Sequence, residues 1–89
     1  MINKKDVLLL NQLIKKGGWL PIKNQTVFST SHKDRLYKCI NKLETYKMIE
    51  RNGDKIKIEP FKGLWVGTIL VGFGILKGDK DFKGETGIL

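Results

Sequence analysis

The residue types that could support catalysis or bind a metal are few in this chain of 89 residues. It contains one cysteine, Cys39, and one histidine, His32, whereas a structural zinc site needs four ligands. The cluster Ser29-Thr30-Ser31 is typical of a helix start, and no acid–base partner is spaced to activate a hydroxyl nucleophile. We therefore predict no enzyme activity, no metal and no cofactor. A lone cysteine forms no disulfide within the chain, which fits a reducing, cytoplasmic compartment.

The remaining chemical feature is positive charge, and its distribution is uneven. The formal net charge is +8. Residues 1–62 contain 14 Lys/Arg and 6 Asp/Glu and so carry the whole excess, whereas residues 63–89 contain three of each. Such an excess favours polyanions, either nucleic acid or an anionic membrane surface. The alternative is a lysine-rich surface that serves only solubility.

Apolar periodicity and capping residues predict three helices in the basic part of the chain, over residues 3–16, 21–28 and 32–46. Asn3 is suited to cap the first helix, and Gly17 to end it in the left-handed conformation. Ser31 followed by Asp34 resembles a capping box for the third helix, which is the most basic. The middle helix has the weakest pattern.

A β-hairpin is predicted directly after the basic helix. Met48–Arg51 and Lys55–Glu59 alternate apolar and polar residues, as half-buried strands do. Asn52-Gly53 lies between them and favours a tight turn in which both central residues have positive φ. Pro60 ends the second strand.

The run Leu43-Glu44-Thr45-Tyr46-Lys47-Met48-Ile49-Glu50-Arg51 resembles the junction between recognition helix and wing in winged helix-turn-helix DNA-binding domains. The resemblance covers roughly residues 3–59. It implies an α+β fold, a small winged helix of three helices plus a two-stranded β-hairpin wing. The family usually has Gly or Asn at the turn where this chain has Lys47, and a clearer second helix than residues 23–28.

That resemblance implies a DNA-binding surface on the third helix and the wing. The recognition helix of this fold enters the major groove, where Arg35 is the first candidate for a base contact. Lys38 and Lys42 are expected to contact phosphates, which fix register without reading sequence. The full candidate set is Ser31, His32, Lys33, Arg35, Lys38, Lys42, Arg51, Lys55 and Lys57. The alternatives are an ordinary solvated helix face and an edge hairpin that its lysines protect from aggregation.

An uncharged, Gly-rich segment, Gly63–Leu76, follows the hairpin. As a helix it would be about 21 Å long, shorter than the roughly 30 Å core of a bilayer. In a soluble protein the alternatives are a buried helix and a pair of strands, and its four glycines and many β-branched and aromatic residues favour strands with bends. Gly63-x-x-x-Gly67 is also a spacing that brings membrane helices close together. We favour a soluble dimerisation or core-extending element over membrane association.

The chain is therefore predicted to comprise a winged helix at residues 1–60, the apolar segment at 61–78, and a polar flexible tail at 79–89. The predicted function is duplex DNA binding by a small transcriptional regulator that acts as a homodimer in the cytoplasm. The alternative is a winged-helix interaction module that docks to a protein partner or a membrane through residues 63–76, because a fold does not determine a function.

Overall fold

The computed structural model describes residues 2–76, with side chains as far as residue 73, and its elements confirm the α+β class. Within these residues the order is α1 (Lys4–Lys16), β1 (Leu20–Pro21), 3-10 turns at Ile22–Asn24 and Thr30–His32, α2 (Lys33–Thr45), β2 (Ile49–Asn52), β3 (Lys55–Ile58) and α3 (Lys62–Leu76). The strands form one antiparallel sheet in the order β1-β3-β2. The tail predicted at 79–89 lies outside the described residues.

Helix α1 begins and ends as its sequence predicts. The Asn3 side chain accepts a hydrogen bond from the Asp6 amide at 3.0 Å, and the Asp6 carboxylate accepts one from the Asn3 amide at 2.8 Å. This reciprocal capping box satisfies two amides at the helix start. Gly17 ends the helix at φ 71° and donates to the carbonyl of Leu13.

Helix α2 buries the predicted inner face, but it begins differently from the prediction. Leu36, Ile40 and Leu43 are buried in the core, and Cys39 is buried beside them. The capping box predicted at Ser31 is wrong: the residue before the helix is His32, which makes no side-chain capping bond. The helix instead continues from the preceding 3-10 turn.

The helix predicted over residues 21–28 is also wrong, because only Ile22–Asn24 forms a single 3-10 turn. The Gln25 side chain accounts for the difference. Its Oε1 accepts hydrogen bonds from the amides of Val27 and Phe28 at 2.9 and 2.8 Å, and its Nε2 donates to the Phe28 carbonyl at 2.7 Å. Side-chain bonds of this kind compete with the helical pattern, so the segment forms a loop.

The hairpin is present, with its turn one residue later than predicted. Asn52 pairs with Lys55, so the two turn residues are Gly53 and Asp54. Gly53 has φ 63°, and neither Asn52 nor Asp54 has a positive φ, which suits a glycine at the first position of a two-residue turn. Strand β1 adds a third strand that the sequence did not predict, pairing Leu20 with Ile56.

The apolar segment forms helix α3, so the prediction of strands with bends is wrong. The Glu59 carboxylate starts the helix by accepting hydrogen bonds from the amides of Phe61 and Gly63 at 2.9 and 2.7 Å. Gly63 lies against the Met48 backbone, and Gly67 against Ile14 of α1. Both glycines of the Gly63-x-x-x-Gly67 spacing therefore make close contacts within the domain. Among residues 2–76, no helix has the length and apolar character needed to cross a membrane.

Candidate nucleic-acid interface

Arg35 and Lys38 are two cations of α2 that lie outside its buried face. Both side chains are exposed. Within the part of the chain that the structure describes, neither makes an ion pair or a side-chain hydrogen bond. They line a shallow groove between α1 and α2, together with Lys5 and Lys42. Four cations from two helices thus share one concave surface.

Lys42 belongs to this groove but has a structural partner. Its Nζ lies 2.6 Å from the Asp6 carboxylate, which is only 1% exposed. The hydrogen bond to Asp6 is the main cause that raises the pKa of Lys42 above the ordinary lysine value. Burial, reinforced by the nearby Asp6 carboxylate, also raises the pKa of the Cys39 thiol, which therefore stays protonated. Lys42 joins α2 to the capped start of α1.

Lys5 is a member of the groove that sequence reasoning missed. Its Nζ donates to the carbonyl of Val27 at 3.1 Å and lies 5.8 Å from the centre of the Phe28 ring. These contacts hold the ammonium group next to α2. The periodicity of α1 places Lys5 on a polar face, but it does not tell which other helix that face adjoins.

The residues at the start of α2 make local contacts. The Ser29 hydroxyl lies 2.9 Å from the Ser31 hydroxyl and 3.2 Å from His32 Nδ1. Lys33 is exposed and lines a second shallow groove, which also contains Tyr37 and Asp54 of the hairpin turn. Positive charge at this end of the helix is therefore partly offset by a carboxylate.

Arg51 is the hairpin residue that approaches α2. It pairs with Ile56, and cross-strand partners lie on the same face of a sheet, so Arg51 shares the face that packs on the helices. Its guanidinium lies 5.6 Å from the centre of the Tyr37 ring on α2, and its Nε donates to the Gly53 carbonyl at 3.0 Å.

Lys55 and Lys57 lie on the opposite face of the sheet. Lys55 pairs with Asn52, and Lys57 pairs with Glu50, two positions that alternate with the buried isoleucines. Lys57 is 3.4 Å from the Glu50 carboxylate and 4.9 Å from the centre of the Trp19 ring. The predicted site is therefore divided: Lys5 adjoins α2 in the groove with α1, Arg51 adjoins α2 at Tyr37 on the hairpin side, and Lys55 and Lys57 face away.

The described residues contain no cluster of His, Cys, Asp and Glu side chains that could hold a metal ion. Comparisons with protein-family models, with curated proteins and with solved structures find no match for this chain.

Proposed function

We propose that the protein binds duplex DNA as a winged helix-turn-helix domain, with α2 as the recognition helix and the hairpin as the wing. The proposal rests on one observation. Arg35 and Lys38 are exposed, and within the described residues they have no ion-pair partner, on a helix whose inner face is buried in the core. A single α-helix fits the major groove of B-DNA. Because most protein–DNA hydrogen bonds go to phosphate and sugar, a rigid basic helix face suits such a contact.

The contacts within the domain suggest different roles for its cations. Arg35 presents a planar fork that matches two acceptors of guanine. Lys38 supplies a point charge for a phosphate. Lys42 acts chiefly as a brace, since its ammonium group is paired with Asp6 at 2.6 Å. Arg51 extends the basic surface from the hairpin side.

Ser31, His32 and Lys33 remain proposed contacts at the start of the helix, where they lie exposed. Lys55 and Lys57 are assigned a secondary role, because a duplex seated on α2 would meet the other face of the hairpin. A single small domain offers only a modest DNA interface, so we further propose that the protein acts as a homodimeric transcriptional regulator in the cytoplasm.

The first test is a salt series of binding to mixed-sequence duplex DNA by the purified chain. Each phosphate neutralised contributes about −0.9 to the slope of log affinity against log salt concentration. We expect a steep negative slope, and we expect Lys38→Met to reduce its magnitude by about 1. Binding that does not depend on salt would refute the proposal.

The matched control is Lys16→Met, which removes the same charge at the far end of α1, about 15 Å along the helix from Asp6. It is expected to weaken binding less than Lys38→Met. Arg35→Ala is expected to weaken binding and to reduce discrimination between sequences by about 1–3 kcal/mol at one base pair. If Arg35→Ala and Lys16→Met behave alike at low salt, α2 is not the reading surface.

A second candidate function is an interaction module that docks through α3. The observation favouring it is that Phe61 and Trp65, at the start of α3, leave 79% and 70% of their surface exposed. A folded protein that binds no duplex at low salt would support this second function over the first.

A further inference from the structure

Within residues 2–76, the outward side of α3 is apolar and largely exposed. Phe61, Trp65, Ile69 and Phe73 are 79%, 70%, 52% and 55% exposed, and Leu64 is 39% exposed. An aromatic side chain can bury about 150–250 Å², so these fractions amount to roughly 500 Å² of apolar surface. Monomeric proteins rarely leave a contiguous patch of more than a few hundred Å² uncovered. The exposed side of α3 is therefore a candidate interaction surface.

Four positions along this side, Phe61, Trp65, Thr68 and Gly72, define what we term the outer stripe. Their spacing of four, three and four residues is that of a helix–helix seam. The first two side chains are bulky and the last two are small. A Cβ added at Gly72 would meet no atom within 4 Å, so the space above this glycine is open.

The outer stripe also presents no charge. Thr68 Oγ1 donates to the Leu64 carbonyl at 2.7 Å, so its hydroxyl is already satisfied within the helix. Lys62, the charged residue nearest the stripe, directs its Nζ toward the Tyr46 carbonyl at 3.4 Å. A chain with a net charge of +8 repels its own copies elsewhere on its surface, whereas two outer stripes can meet without repulsion.

We propose that two copies of the chain associate through their outer stripes as an antiparallel, two-fold symmetric helix pair. Trp65 and Gly72 are seven residues apart, which is two helical turns. A two-fold axis midway between them seats each Trp65 indole over Gly72 of the partner subunit. The same operation sets Leu64 beside Phe73 of the partner subunit. Each contact occurs twice, as it must in an isologous interface.

The alternation of bulky and small residues favours a second copy over a lipid surface. A bilayer takes up apolar side chains of any shape, whereas a second copy can place its Trp65 over the open space at Gly72. About 500 Å² from each copy gives a total near 1,000 Å², at the lower end of specific interfaces. We therefore expect reversible association in the micromolar range. The proposal refines the dimer proposed above, but it does not depend on DNA binding.

Sedimentation equilibrium of the full chain without DNA, from about 1 to about 200 µM, tests the proposal. The wild type is expected to shift from monomer to dimer across this range. Trp65→Ala removes both indoles from the dimer, and Gly72→Trp fills both spaces. Each is expected to weaken association by roughly 100-fold.

The double variant Trp65→Ala/Gly72→Trp moves the bulky side chain from position 65 to position 72 of the outer stripe and leaves a small residue at position 65. Because the two-fold axis pairs these positions, it is expected to restore association to within about tenfold of the wild type. Trp19→Ala changes the only other tryptophan and serves as the matched control. Circular dichroism checks that each variant is folded, and Ile69→Glu supplies a second variant on the same side of α3.

A wild type that stays monomeric at the highest concentration overturns the proposal. Failure of the double variant to recover, when both single variants are impaired, overturns the register of Trp65 on Gly72. A monomer in solution that binds vesicles of phosphatidylcholine and phosphatidylserine assigns the stripe to a lipid surface instead. Loss of DNA binding does not affect this readout, so the two proposals can fail separately.

Discussion

Replacing Gly63 by alanine is the most direct perturbation of the contact between α3 and the rest of the domain. A Cβ at this position would lie 2.0 Å from the Met48 carbonyl oxygen and 2.7 Å from its carbonyl carbon. That oxygen already accepts the amide of Glu59 at 3.0 Å, so it cannot move aside without breaking a hydrogen bond. The start of α3 must therefore retreat.

The size of the effect follows from these distances. Side-chain Cβ atoms essentially never approach other atoms within 3.0 Å, so the helix must move by about 1 Å. Overpacking of this kind costs about 1–3 kcal/mol. The displacement also weakens the cap between the Glu59 carboxylate and the Gly63 amide, worth about 1 kcal/mol. The higher helix propensity of alanine returns about 1 kcal/mol, which leaves a net loss of about 1–3 kcal/mol.

Thermal unfolding followed by circular dichroism, in dilute protein so that association does not contribute, measures this loss. In a domain of this size 1 kcal/mol shifts Tm by about 4–8 °C, so Gly63→Ala is expected to lower Tm by roughly 5–20 °C. Two matched controls give a graded series. Gly67→Ala meets only the flexible Ile14 side chain at 3.2 Å, and Gly18→Ala meets nothing within 4 Å.

The expected order of Tm is therefore Gly18→Ala highest, Gly67→Ala intermediate and Gly63→Ala lowest. Gly18→Ala should match or slightly exceed the wild type, because alanine restricts the unfolded chain. If Gly63→Ala unfolds within a degree or two of Gly18→Ala, α3 does not lie against the Met48 backbone, and the reasoning is refuted.

Three further predictions concern Lys47, Lys42 and Cys39. Lys47 has φ 60°, so Lys47→Gly is expected to raise stability by about 1 kcal/mol in urea titrations, and a loss of stability would contradict this. Because Lys42 pairs with Asp6 and Lys38 does not, Lys42→Met should destabilise the fold more than Lys38→Met. Lys38→Met should weaken DNA binding more than Lys42→Met. Equal effects of the two variants in both assays would contradict the structural role of Lys42. The raised pKa of Cys39 means that the unfolded chain releases its proton first, so stability is full below the ordinary cysteine pKa and falls as the pH rises above it. Urea titrations from pH 8 to pH 10 should show this decline in the wild type and a shallower one in Cys39→Ala.

The elements that the sequence predicted correctly are those whose signals are local. Asn3 with Asp6 forms a capping box, and Gly17 adopts the left-handed conformation, from interactions within one turn. The inner face of α2 follows from helical spacing alone. The turn was misplaced by one residue because Asn-Gly and Gly-Asp both suit a two-residue turn, and the pairing of Asn52 with Lys55 decides between them.

The wrong predictions concern signals that depend on the tertiary partner. In α3, both faces are apolar, one packed on α1 and the other exposed, so no periodicity distinguishes a helix from strands. Its glycines indicated bends, but Gly63 and Gly67 are contact points for the Met48 backbone and Ile14. In the same way, the loop after Asn24 depends on hydrogen bonds of the Gln25 side chain, which has no sequence signature.

The sequence shows which cations α2 carries, but not how they are arranged in space. Arg35 and Lys38 are exposed on α2. The pairing of Lys42 with Asp6 and the proximity of Lys5 both need the crossing of two helices, which a sequence does not specify. The separation of Arg51 from Lys57 depends on which face of the hairpin packs inward, and its register fixes that face.

The packing of α3 on α1 has a consequence for kinetics. These helices contact each other although β1, α2 and the hairpin lie between them in the chain. Contacts between distant segments are slow to form because a long loop must close first. We therefore expect α3 to dock late in folding, so that its contacts set the unfolding rate more than the folding rate. Detachment of α3 exposes Leu10 and Ile14 of α1. We therefore expect the rate at which α3 detaches to determine the lifetime of the native state.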